Sequence, residues 1–148
     1  VVLELDENRC YYSVMGCRGD ADVISVKTDE DKIARVRMDG QTTYKFAVST
    51  VPQVIKQVAE KANVALDDID LFICHQANAR ILDAVSRTLK QPKEKFFMNI
   101  SEYGNTSAAS VAIALSDANN KGLLKEGQKI MLAGFGAGKT WGAVLIDW

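Results

Sequence analysis

The feature that most constrains this chain is the alternation between two kinds of apolar segment. Short runs at 71–74 (Leu-Phe-Ile-Cys), 96–100 and 129–133 suit buried strands and are too short for helices. Between them, apolar residues recur every three or four positions. Ile81, Leu82, Val85 and Leu89 predict a helix that stops before Pro92. Residues 107–120 predict another, dense in Ala108, Ala109, Ala112 and Ala114, with Gly122 suited to its C-cap. A helix between two strands carries the chain back to where the first strand began, so this pattern implies βαβ crossovers and a largely parallel sheet.

The flanks are read in the same way. Val51, Val54, Ile55, Val58 and Ala62 mark one apolar helical face, ending near Asn63, with Thr50 placed to cap it ahead of Pro52. Residues 41–49 suit an earlier helix or a strand, and a helix offset at the proline is the favoured reading. Residues 1–5 and 11–14 read as strands, 16–19 as turn-prone, and 20–40 as weakly patterned. After 129–133, a glycine-rich loop at 134–138 leads into a last strand over 141–148. The expected class is α/β: one domain over 1–148, a mostly parallel mixed sheet flanked by helices, in a βαβαβαββ-like order.

Charge and cysteine content exclude several functions. With 18 Lys and Arg against 19 Asp and Glu in 148 residues, the net charge of −1 predicts no broad attraction to nucleic acid or anionic lipid. No run reaches the roughly 20 apolar residues needed to span a bilayer, so a cytoplasmic address is expected. Cys10, Cys17 and Cys74 at irregular spacing, with a single histidine, suit neither a disulfide framework nor a metal site.

That histidine, His75, lies where the run 71–74 breaks into the polar turn Gln76-Ala77-Asn78. Ligands of open α/β sheets bind at the carboxyl ends of the strands, where the loops at 75–78, 104–107 and 134–139 should gather. Asn105 suits a helix cap, or an amide donating beside the histidine. The glycine loop suits a tight turn, or backbone N–H groups aimed at a developing oxyanion. Cys74 should face away from His75, because successive strand side chains alternate. Residues 133–140 (AGFGAGKT) fit a loose phosphate-binding loop, yet such a loop needs a helix directly after it, and the continuation is strand-like.

Three motifs, HQANARI at 75–81, YGNTSAAS at 103–110 and FGAGKTWG at 135–142, resemble in order and spacing those of the carboxyl-terminal half of β-ketoacyl-acyl-carrier-protein synthase III. This is a thiolase-fold condensing enzyme of type II fatty acid synthesis. The resemblance implies that His75 and Asn105 are the histidine and asparagine of a Cys-His-Asn triad whose cysteine belongs to an absent amino-terminal half. It implies a reaction between acyl-CoA and malonyl-acyl carrier protein with no cofactor, in which the two residues donate to the malonyl thioester oxygen as it becomes an enolate. Gly136 and Ala137 would complete an oxyanion hole for the acyl thioester. Tyr44 and Phe135 would line the substrate tunnel, with ordinary packing as the alternative for Tyr44, and Lys45, Arg80 and Arg87 would dock the acidic carrier protein. A homodimer is expected at full length.

Two positions depart from the family pattern: Lys139 replaces an apolar residue, and Cys74 stands where proline commonly precedes the histidine. Lys139 is expected to bear on the acyl pocket or tunnel electrostatics. Two other readings remain: a sister starter-unit condensing enzyme of polyketide or quinolone synthesis, and a noncatalytic carrier-protein-binding module.

Overall fold

A computed structural model of the chain describes residues 11–20 and 22–148. The elements in order are β1 (Tyr11–Asp20), β2 (Ile24–Thr28), β3 (Ala34–Met38), α1 (Gly40–Ala62), β4 (Leu71–Cys74), α2 (Ala79–Leu89), α3 (Ile100–Tyr103), α4 (Ser110–Asn120), β5 (Lys129–Gly136) and β6 (Gly138–Asp147). The strand expected at 1–5 and Cys10 lie outside the described residues.

The expected break at Pro52 does not occur. α1 runs for 23 residues with Pro52 inside it and starts far upstream of Thr50, where Asp39 Oδ1 accepts the Gln41 and Thr42 N–H groups at 3.0 Å each. An interior proline costs about 3 kcal/mol. Val51, Val54, Ile55 and Val58 are all buried on the same face, and each such side chain contributes about 1.5–3 kcal/mol. Burial of the face therefore outweighs the lost hydrogen bond. The far end falls as expected: Asn63 adopts a left-handed conformation (φ 53°) and its N–H reaches the carbonyls of Ala59 and Glu60. α2 also matches expectation, burying Ile81, Leu82, Val85 and Leu89.

The α/β class with a mixed sheet flanked by helices is as expected, but the balance of strand directions differs. In the order β1-β6-β5-β4, only β4 and β5 are parallel, while β5–β6 and β6–β1 are antiparallel. The cause is the glycine-rich segment. It is strand rather than loop, with Gly136 paired to Thr140 across a tight turn, so β5 and β6 form a hairpin. β1 is longer than its expected 11–14, because the glycine read as a turn lies flat in the sheet. A Cβ on Gly16 would collide with the Trp141 ring.

Residues 96–100 make one parallel bridge, Phe72 to Phe96, and then turn into α3. A longer strand is pre-empted by Gln76. Its side chain donates to the Phe97 carbonyl at 3.1 Å and accepts the Asn99 N–H at 3.1 Å, occupying the groups a ladder would use. Residues 24–38 hold a hairpin that the reading of weak pattern missed. Its register pairs Ile24 with Met38 and Val26 with Val36 on one face, and Ser25 with Arg37 and Lys27 with Arg35 on the other. That is a period-two pattern with its apolar face largely open: Val26, Val36 and Met38 are all exposed.

Each face of the main sheet carries its own core. Phe72 and Cys74 pack with α1 and α2, whereas Ile73 packs with Ala114, Leu115 and Ala118 of α4. β4 is thus covered on both faces, which fixes the position of the residue that follows it.

Candidate active site

His75 follows the last residue of β4. Its N–H donates to the Ala133 carbonyl at 2.7 Å, extending the β4–β5 pairing by one bond. Its ring lies toward α4, where Nδ1 is 2.5 Å from Ser110 Oγ. The edge of the ring meets Phe135, with centroids 5.1 Å apart and planes at 70°. Burial disfavours the imidazolium and holds the His75 pKa below its ordinary 6.5, so the ring is neutral near pH 7. Cys74 faces the opposite core, as strand alternation requires, and its burial pushes the thiol up to about 12. It is a core side chain. Cys17 is exposed near the β5–β6 turn, and its sulfur accepts the Gly19 N–H at 3.1 Å.

His75 opens on a cleft of about 810 Å³ whose wall also includes Asn105, Phe135, Gly136, Ala137 and Trp141. The three loops expected at the strand ends therefore meet in one place. Asn105 follows Gly104 (φ 67°), and its Oδ1 accepts the Ser107 N–H at 2.9 Å. With Oδ1 accepting from Ser107, the amide N–H₂ has no hydrogen-bond partner among the described residues. The expected helix over 107–120 divides into a 3-10 turn, Ser107–Ala109, followed by α4. Ile24, Val36 and Met38 of the β2–β3 hairpin supply an apolar wall of the cleft. Among the described residues, no group of three or more His, Cys, Asp or Glu could hold a metal ion.

The remaining candidates differ in their distance from the cleft. Phe135 borders the cleft and Tyr44 does not, although its neighbour Thr43 does. Lys45 is exposed on α1, and Arg80 and Arg87 are exposed on α2. Lys139 is also outside the cleft wall: its Nζ lies 2.5 Å from Asp20 Oδ2 on β1, and this ion pair holds the Asp20 carboxyl below the usual carboxylate range. Its charge is thus met locally. The segment 133–140 is a strand, turn and strand, with no helix to hold a phosphate.

Two residues of the site were missed in the sequence. Ser110 and Gln76 both lie inside motifs already singled out, and both are buried polar groups. The available signal was a hydroxyl set among the alanines of the helix start and an amide directly after the histidine. The hairpin residues Ile24, Val36 and Met38 were also missed, and alternation over 24–28 and 34–38 was their signal.

Comparison with known families settles the ancestry of this arrangement. Residues 59–148 match the model of the 3-oxoacyl-[acyl-carrier-protein (ACP)] synthase III C-terminal family. The chain belongs to this family. A β-ketoacyl-[acyl-carrier-protein] synthase III of Microcystis aeruginosa is 51% identical over 113 residues, covering 76% of the chain and 34% of that relative. The Fusobacterium nucleatum protein of the same name is 50% identical over the same shares. Among solved structures, the synthase III of Thermus thermophilus superposes with a TM-score of 0.89 at 35% identity, over 98% of this chain and 48% of that one. That of Aquifex aeolicus gives 0.86 at 38% identity, over 99% and 46%. The chain thus has the thiolase-like fold of synthase III and spans about a third of its curated relatives' length. No helix among its described residues is long and apolar enough to cross a membrane.

Proposed function

We propose that this chain is the carboxyl-terminal catalytic half of a β-ketoacyl-acyl-carrier-protein synthase III. The intact protein would condense an acyl-CoA with malonyl-acyl carrier protein at the start of type II fatty acid synthesis, in the cytoplasm and as a homodimer. A cysteine in the amino-terminal half takes the acyl group and releases CoA. The malonyl thioester then loses CO₂. The electron pair of the broken C–C bond passes to an enolate, which attacks the acyl thioester and returns the cysteine thiolate. No cofactor is needed, because the thioester itself accepts the developing charge.

In this reading His75 and Asn105 donate to the malonyl thioester oxygen as it becomes an enolate. One observation carries the assignment: an imidazole anchored through Nδ1 and an amide with its oxygen already engaged border one cleft. Preorganised donors of this kind are worth about 3–4 kcal/mol each in the transition state. Gly136 and Ala137 at the β5–β6 turn complete the oxyanion hole for the acyl thioester, Phe135 lines the approach of the pantetheine arm, with Tyr44 placed outside the cleft wall, and Lys45, Arg80 and Arg87 receive the acidic carrier protein.

A sister condensing enzyme is the second reading. The priming β-ketosynthase of the R1128 polyketide pathway superposes with a TM-score of 0.84 at 28% identity, over 91% of this chain. Donor profiling of the intact protein separates the two. Turnover of short acyl-CoA with malonyl-acyl carrier protein supports the synthase, and turnover only with a polyketide starter favours the sister. The 148-residue chain alone should show no condensation, and measurable turnover by it would overturn the assignment of the nucleophile to the other half. Binding of carrier protein without condensation by the intact protein would favour a noncatalytic module.

A further inference from the structure

The contact between His75 and Ser110 decides more than the ring's position. Ser110 is buried at 1% exposure, and its oxygen has two hydrogen-bond partners among the described residues: the Gln76 N–H at 3.2 Å and His75 Nδ1 at 2.5 Å. A hydroxyl has one proton and two lone pairs. The Gln76 N–H takes one lone pair. If Nδ1 carried the ring proton it would take the other, leaving the Ser110 proton buried without an acceptor, an arrangement that folded proteins avoid. If the hydroxyl instead donates to Nδ1, every group in the cluster is satisfied.

We propose that Ser110 is a positioning residue that fixes the tautomer of His75: its O–H donates to Nδ1, so the ring proton sits on Nε2, the nitrogen left to the cleft. The surrounding bonds keep Ser110 in that role. Gln76, itself buried at 1% exposure, donates from Nε2 to the Cys74 carbonyl at 2.8 Å and to the Phe97 carbonyl at 3.1 Å, and accepts the Asn99 N–H. Asn99 in turn donates to Asp117 of α4, so the strand end and the helix bearing Ser110 are tied together at both ends of the chain of bonds. The hydroxyl cannot turn away without breaking the Gln76 contact. The tautomer follows from this geometry alone, and its value for catalysis rests on the proposed function, in which an Nε2–H is the donor to the enolate oxygen.

The test is nitrogen NMR of the intact protein labelled with ¹⁵N-histidine, with the His75 signals assigned by their loss in His75→Gln. At a pH where the ring is neutral, the expected spectrum shows the proton on Nε2 and an Nδ1 resonance displaced by hydrogen bonding. A proton resident on Nδ1 overturns the proposal without recourse to any variant. In Ser110→Ala the Nδ1 resonance should move to the position of an unbonded acceptor, and an unchanged resonance overturns the proposal. Condensation by Ser110→Ala should fall about 10- to 100-fold, the scale seen when the partner that orients a metal-bound histidine is removed. If the spectra are as expected while His75→Gln condenses normally, the positioning role stands and the proposed function fails.

Discussion

His75 and Asn105 border the same cleft but are secured in opposite ways. His75 ends a strand covered on both faces, its N–H is tied to β5, its ring is bonded to α4, and Phe135 meets it edge-on. Asn105 is exposed between a four-residue helix and a single 3-10 turn, with one local bond from Oδ1 to the Ser107 N–H. The difference teaches that the two side chains draw their precision from different sources. The histidine inherits it from the folded core, whereas the asparagine owes its placement to three residues of backbone around it.

Substitutions should reveal that asymmetry. The largest effect on stability is expected for Phe72→Ala, which removes a fully buried ring stacked 4.6 Å from Phe96 and should cost about 3–5 kcal/mol in denaturant unfolding. Next comes Gln76→Leu, which strands the backbone groups of Phe97 and Asn99 and should cost about 1–3 kcal/mol by the same measurement. At the far end of the scale, Asn105→Ala loses one exposed bond, and about 0.5 kcal/mol is expected. A comparable loss from Asn105→Ala and Phe72→Ala would break the comparison.

Protonation sharpens it further. The His75 pKa is lowered in the folded chain by burial, so below about pH 6.5 the unfolded chain binds the proton more readily. The His75 contribution to stability is therefore intact above about pH 6.5 and is lost as pH falls from there through the folded value. A titration of the ring followed by NMR should give a midpoint below 6.5 in the native protein, and a midpoint above it would contradict the half-buried, neutral imidazole.

Much of this contrast was legible in the sequence, but unevenly. The face of α2, the end of α1 at Asn63 and the position of His75 at a strand terminus follow from local periodicity and capping, which the fold did not override. The convergence of the three loops was legible from strand polarity, even though the sheet holds one parallel ladder rather than several. Pro52 misled because its cost is local while the burial that outweighs it is tertiary. The segment 96–100 misled because a side chain, Gln76, stands in for a neighbouring strand, and no periodicity records that substitution. Ser110 was visible only as one letter of a motif. Its role depends on a residue 35 positions away.

The most direct test of the paired-donor account separates the two half-reactions in the intact protein. Acylation from acyl-CoA and condensation with malonyl-acyl carrier protein would be measured for His75→Ala and Asn105→Ala. The account predicts that both variants still form the acyl-enzyme while condensation falls about 10²–10³-fold in each, the usual loss on removing one such donor. Condensation at the unsubstituted rate in either variant, or loss of acylation alone, would contradict it.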